Sequence, residues 1–207
     1  MTRNKRYMTG LLAAGLALAL TSTSALAQQP QQPSAKVTAK TSSLVLIPET
    51  KGTGDWVTVL CNNIKTPNDK DLFITASFEA GLYTRTETPD TSMSTARARV
   101  RVRVLLDGQQ VEPGVITYND RIQTLSTVLE PTEAVKLILR TMAANSFGYV
   151  AVDVPVGVHQ VCAQARVDTE GTTTDGAVFA AMGSVGKGTL TVESVRLIKG
   201  EDVVEVP

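Results

Sequence analysis

Residues 95–104 read Thr-Ala-Arg-Ala-Arg-Val-Arg-Val-Arg-Val. Small or branched apolar residues alternate with arginine without a break, the period of an extended strand with two unlike faces. As a strand, the segment turns Ala96, Ala98, Val100, Val102 and Val104 inward. Arg97, Arg99, Arg101 and Arg103 then line the opposite face, each roughly 6.5–7 Å from the next. Like charges that close need water, cross-strand acids or a bound anion around them.

The same period-two pattern continues along the chain. Residues 56–61, 72–84, 95–106, 115–126, 147–154, 158–168, 178–182 and 189–198 all read as strands. Turn signals separate them: Pro67-Asn68-Asp69, Pro89-Asp90, Asp107-Gly108, Pro113-Gly114, Pro155-Val156-Gly157 and Gly171. Asp107-Gly108 suits a tight hairpin, because glycine tolerates positive φ. One segment departs from the rhythm. Over 132–145, Val135, Ile138, Leu139 and Met142 fall at helical spacing, with Lys136 and Arg140 opposite. Pro131 suits a first helical turn and Asn145 a C-terminal stop, so the spacing predicts one short helix capping an end of the sheets. Many strands, one helix and no βαβ alternation predict an all-β fold. The expectation is an antiparallel β-sandwich of jelly-roll type with one short helical insertion.

The segment Val154-Pro155-Val156-Gly157-Val158-His159-Gln160-Val161-Cys162-Ala163-Gln164-Ala165-Arg166-Val167-Asp168 resembles the penultimate strands of secreted jelly-roll domains of the complement and tumour-necrosis-factor-like kind. Gly188-Thr189-Leu190-Thr191-Val192 is similar to their closing strand, and Val104-Leu105-Leu106-Asp107-Gly108 with Pro113-Gly114 to their earlier hairpin. The resemblance implies the jelly-roll fold. Such domains serve adhesion, assembly and ligand binding alike, so it implies no particular activity.

The N-terminus reads as an export signal. Arg3, Lys5 and Arg6 form a positive region, an apolar run extends from Leu11 to Leu20, and Ala25-Leu26-Ala27 offers the small-x-small cleavage pattern. Residues 1–27 are therefore expected to be a cleaved signal peptide, with the protein periplasmic or secreted. Residues 28–43, rich in Gln, Pro, Ser and Thr, are expected to form a flexible leader, and 44–207 a single β-sandwich domain. No stretch reads as a membrane span. The net charge of residues 28–207 is −3, which argues against a nucleic-acid partner. Cys61 and Cys162 are the only cysteines, and in an oxidising compartment they are expected to pair as a disulfide.

Catalytic and metal motifs are sparse. His159 is the only histidine, and period-two counting places it on the apolar face with Val161, Ala163, Ala165 and Val167. One histidine and no cysteine cluster exclude a His-rich zinc site within one chain. Gly183-Ser184-Val185-Gly186-Lys187-Gly188-Thr189 lacks the spacing of a phosphate loop and reads as a turn. Asp168, Glu170 and Asp175, and likewise Asn68, Asp69 and Asp71, read as polar-loop residues without the spacing of a calcium loop. No cofactor is expected. The candidate ligand face is the arginine strip Arg97, Arg99, Arg101 and Arg103, with Gln160, Gln164 and Arg166 completing it. It is either a solvated face balanced by neighbouring Glu and Asp, or a site for a sulfated or uronic glycan, an acidic partner or lipid headgroups.

Three functions remain. The first is a non-enzymatic exported module for assembly or macromolecular binding, with a protein partner or a second copy of itself. The second is a glycan- or anion-binding module using the Arg97–Arg103 face. The third is a carboxylate-dependent hydrolase, for which a pair such as Glu79 and Glu193 would have to face one another across strands.

Overall fold

The structure is a computed structural model that describes residues 37–43, 45–46, 52–89, 91–130 and 132–197. The expected signal peptide at 1–27 and residues 28–36 of the expected leader lie outside the described residues. In chain order the strands are β1 (Val37–Ser42), β2 (Val45–Leu46), β3 (Gly52–Thr53), β4 (Val57–Thr66), β5 (Lys70–Pro89) and β6 (Ser92–Leu106). They continue with β7 (Gln109–Gln110), β8 (Ile116–Thr127), β9 (Ala134–Val154), β10 (Gly157–Thr173) and β11 (Val178–Val195). The first of these falls inside the segment expected to be a flexible leader, so the sheet begins at Val37 rather than after residue 43.

The strands form two antiparallel sheets packed as a β-sandwich. One sheet runs β1–β11–β5–β9, with β2 also on β11. The other runs β3–β10–β6–β7, with β4 also on β10 and β8 also on β6. The long pairings nest inside one another: β1 with β11, β4 with β10, β5 with β9, and β6 with β8. Alternation in the sequence builds the core between the sheets. Leu72, Ile74, Ala76, Phe78, Ala80 and Leu82 face inward from β5, against Ala98, Val100, Val102 and Val104 of β6 and Val161, Ala163, Ala165 and Val167 of β10. Each fully buried Val or Leu contributes roughly 1.5–3 kcal/mol relative to exposure. Tyr149 is wholly buried among them and donates its hydroxyl to Val102 O at 3.3 Å.

The expected turn at Asp107-Gly108 is present, with φ of 48° and 85°, and it turns β6 back into β7. Gly108 carries the second positive φ without a Cβ clash. Cys61 and Cys162 are direct cross-strand neighbours on β4 and β10 and are joined as the expected disulfide.

Besides the leader boundary and the turn expected at Gly171, which lies inside β10, the expectations for two whole segments fail. The helix expected over 132–145 is absent: residues 134–154 form β9, paired along its length with β5, and no helix occurs among the described residues. In β9 the residues Val135, Leu137, Leu139 and Thr141 lie on one face and Lys136, Ile138, Arg140 and Met142 on the other. Apolar side chains on both faces imitate helical spacing. The deciding term lies elsewhere in the chain: β5 has an edge of twenty residues whose amide and carbonyl groups need a partner strand. The second failure is at 183–189. That segment is no turn but the middle of β11, where the register on β5 shifts between Val185 and Gly188. Gly186 and Lys187 form the irregularity, and Lys187 N donates to Glu79 Oε2 at 3.2 Å.

Candidate functional site

Strand β6 places the arginine strip on the outer face of its sheet, as its alternation requires. Ala96, Ala98, Val100, Val102 and Val104 are buried beneath it. The neighbouring strands supply acids. Register sets Arg97 opposite Glu170, Arg99 opposite Asp168, Arg101 opposite Arg166 and Arg103 opposite Gln164 on β10. On the other side, Arg99 faces Asp120 of β8.

The side chains pair diagonally as well as directly. Arg97 grips Asp120 with two hydrogen bonds, at 3.0 and 2.5 Å, and also approaches Glu170 at 3.8 Å. Arg99 bonds Glu170. Asp168 is covered, its side chain 3% exposed, and lies 3.1 Å from Arg101 Nε and 3.3 Å from Arg166 Nε. It separates two guanidinium groups that register would otherwise set face to face. Asp168 and Glu170, read from sequence as loop residues, are thus β10 residues within the strip. Hydrogen bonding to Arg97 holds the Asp120 carboxyl below its ordinary range, and the same bond raises Arg97.

Arg103 differs from the others. Its Nε and Nη2 both donate to Gln164 Oε1, at 2.9 and 2.8 Å, while Gln164 Nε2 donates to Thr58 Oγ1 at 3.2 Å. Its guanidinium carbon lies 4.4 Å from the centroid of the Trp56 ring, and that of Arg166 lies 4.8 Å from the same ring. Among the described residues no carboxylate is in ion-pair contact with Arg103. Four guanidinium groups therefore share the carboxylates of Asp120, Asp168 and Glu170, the fifth, that of Arg103, contacts none of them, and the positive excess gathers around Trp56. Gln160, expected on this face, lies beyond the strip at the Asp107 turn, where its amide donates to Asp107 Oδ1 at 2.8 Å.

His159 is buried, as the face count requires, and its ring nitrogens lie 2.7 Å from Asp107 Oδ2 and 2.9 Å from Pro155 O. It ties the β6–β7 turn to the start of β10. Glu193 stands opposite Phe73 on β5, whereas Glu79 is six positions further along that strand, roughly 20 Å away at the rise of a strand. Paired carboxylates of glycoside hydrolysis stand about 5–10 Å apart, so these two do not form such a pair. Among the described residues no three His, Cys, Asp or Glu side chains are placed so that they could hold a metal ion, and no helix is long and apolar enough to cross a membrane.

A second surface escaped the sequence reading. The N-terminal half of β9 is the outermost strand of its sheet, and it is exposed residue after residue from Ala134 to Ala144. Val135, Leu137 and Leu139 are 39, 37 and 41% exposed on one face, and Ile138 and Met142 are 43 and 62% exposed on the other. Met142 borders a shallow hollow shared with Tyr83, Arg140 and Met182. The free edge of β9 is bridged at its far end alone among the described residues, where Val150 N donates to Glu112 O at 2.9 Å. The signal in the sequence was the presence of apolar residues at both odd and even positions, Val135, Leu137 and Leu139 with Ile138 and Met142, which fits a strand exposed on both faces as well as it fits a helix.

Among the described residues, fold and surface define an all-β sandwich with a partly neutralised arginine face and a long, largely apolar open edge on β9. No family model matches the sequence, and no curated protein matches it. Among solved structures, a chain of the infectious bursal disease virus Gx strain is 12% identical, with a TM-score of 0.23 over 96% of this chain and 46% of that chain. A mutant VP2 protein of the same virus, in derived T=1 particles, is 12% identical with a TM-score of 0.23, over 82% of this chain and 40% of that one. The chain spans less than half the length of these viral chains, and at such TM-scores the likeness carries no argument about function.

Proposed function

We propose that this protein is an exported, non-enzymatic β-sandwich module of jelly-roll type that works by assembly or by binding another macromolecule. The observation that carries the reading is the open edge of β9. A long edge strand exposed from Ala134 to Ala144 is a template for another strand, and its charges, Lys136 and Arg140, are of one sign, so they oppose pairing with a like strand and leave the edge open to an acidic one. The nested order of the pairings supports the jelly-roll assignment. Taking the eight long strands β1, β4, β5, β6, β8, β9, β10 and β11 as first to eighth, the sheets run first–eighth–third–sixth and second–seventh–fourth–fifth. This is the order obtained by rolling up one long antiparallel hairpin, the winding of two Greek keys. Export rests on the signal-peptide pattern of residues 1–27, and the Cys61–Cys162 disulfide is compatible with an oxidising location. Residues 28–36 then act as a leader to the domain. Light scattering on the purified protein over a hundredfold concentration range is the test. A molar mass that rises with concentration is expected, and a monomer throughout would leave assembly without support.

A second reading, an anion- or glycan-binding face, draws on Arg103 and Arg166. Their stacking on Trp56 brings Arg103, which contacts no carboxylate among the described residues, and Arg166, which shares the one Asp168 carboxylate with Arg101, beside the one tryptophan of the chain. Arg97, Arg99 and Arg101 are engaged with acids, and Gln164 with Arg103 and Thr58. Paired replacement Arg103→Glu and Arg166→Glu is expected to lower retention on a sulfated glycan column more than Arg97→Glu with Arg99→Glu does. Equal retention of the two variants would count against this face.

A further inference from the structure

We infer that the open edge of β9 is the docking site for residues 201–206 of a second copy of this chain, so that copies join head to tail by strand addition. The inference rests on the assembly reading above and names its partner. The edge has a distinctive pattern. Its outer face presents Lys136, Ile138 and Arg140, and its inner face Val135, Leu137 and Leu139. Lys136 and Arg140 have no carboxylate in ion-pair contact among the described residues; Arg140 rests over the Tyr83 ring, 5.5 Å from its centroid. The outward amide of Val150 is taken by Glu112, and the two-residue period carries outward-pointing backbone groups back to Arg140, Ile138 and Lys136.

Residues 201–206 read Glu-Asp-Val-Val-Glu-Val. Laid antiparallel on the edge, Glu201 falls opposite Arg140, Val203 opposite Ile138 and Glu205 opposite Lys136. On the other face, Val204 meets Leu137 and Val206 meets Val135, while Asp202 lies against Leu139. Charge meets opposite charge twice, and apolar meets apolar three times. The remaining position has its own partner. Arg121 of β8 reaches across to β9 and bonds Thr141 Oγ1, next to Leu139 on the same face. Its Nη1 is buried with no hydrogen-bond partner, and no carboxylate is in ion-pair contact with it among the described residues. Asp202 would supply one there.

Reach decides that the donor is another copy. Leu197 is held at the opposite end of the sheet, its amide 2.9 Å from Asp71 Oδ2. Arg140 stands opposite Tyr83, twelve positions from Asp71 along β5 and therefore about 40 Å away. Four residues from 197 to 201 extend at most about 14 Å, and the whole stretch to 206 at most about 32 Å. The segment falls short within its own chain. Each copy then carries one donor and one acceptor, a head-to-tail contact that closes into a ring, down to a reciprocal tail exchange between two copies, where the geometry between copies allows it, and otherwise runs on as a filament.

The test uses two charge-reversed variants of the full protein, Lys136→Glu with Arg140→Glu, and Glu201→Lys with Glu205→Lys, with circular dichroism to establish that both retain the sheet signal. Light scattering is expected to give higher-order mass for the unaltered protein, monomer for each variant alone, and restored mass when the two are mixed. If both variants retain the full mass, tail docking is overturned while assembly by another surface stands. If the unaltered protein is a monomer throughout, assembly fails. Docking is then judged by a labelled peptide of residues 199–207: saturable binding that Lys136→Glu with Arg140→Glu weakens at least tenfold upholds the site, and no binding removes it.

Discussion

Asp107 and Asp120 show what single carboxylates do in this sandwich. Burial pushes the Asp107 carboxyl up, but its bonds to His159 and to the Gln160 amide more than offset that, so it ends below its ordinary value. Asp120 is lowered chiefly by its hydrogen bonds with Arg97. A carboxyl lowered in the folded state stabilises it above the unfolded pKa, near 4, and this contribution is lost as the pH falls through the folded value. Asp107→Asn and Asp120→Asn should therefore lower the melting temperature at pH 7 and leave it less changed at pH 2–3. A constant difference across that range would contradict the assignment. The tyrosines act at the alkaline end. Burial raises Tyr149 to about 12 and Tyr118 further, the latter donating to Ala76 O at 2.6 Å. A raised tyrosine contributes stability present below pH 10 that is lost as pH rises toward the folded value, so alkaline unfolding and tyrosinate absorbance should appear together.

Among elements, β4 and β10 are joined covalently as well as by their ladder. The Cys61–Cys162 bond spans 101 residues of chain. By the chain-entropy argument, Cys61→Ser with Cys162→Ser should cost about 3–5 kcal/mol. The melting temperature should fall by on the order of 10 °C, and adding reductant to the unaltered protein should reproduce the loss. An unchanged midpoint would mean that the linkage adds nothing to the ladder. The pairing was legible because two lone cysteines in a chain whose N-terminus reads as an export signal have few alternatives. Strand β9 was not. Its apolar residues satisfy two periods at once, and local spacing carries no information about a free edge on β5, some fifty residues earlier. Buried polar contacts were equally hidden. Gln123 accepts from Thr84 Oγ1 at 2.6 Å and donates to Thr86 Oγ1 at 2.7 Å and Leu137 O at 3.0 Å, joining β8 to β5 and β9 across the sandwich. No sequence motif announces a glutamine that must satisfy three partners carried by two strands of the facing sheet.

At the scale of the molecule, nesting sets the order of difficulty in folding. The innermost pairing, β6 with β8, closes a short loop, whereas β1 must find β11 across most of the chain, Val37 beside Glu193. Contacts that remote carry a large closure entropy before they contribute stability. Refolding of the oxidised protein is expected on the order of seconds, with β1–β11 amides protected from exchange after those of β6–β8. Complete protection of both within milliseconds would refute that order. The same winding leaves β9 as the last strand of its sheet, and so converts an apolar segment into an exposed edge.

The sequence by itself determined the two-faced strands, the β class, the placement of the arginines over a small-residue core, the Asp107-Gly108 turn and the cysteine pair. Each of these follows from side-chain periodicity or from local backbone preference. Only the tertiary structure decided that Asp120, Asp168 and Glu170 balance most of the arginine strip, that the excess charge gathers at Trp56, and that residues 134–154 are a strand. Those outcomes depend on which strands lie side by side, a matter of backbone pairing and burial between segments far apart in the chain, and no local pattern carries it.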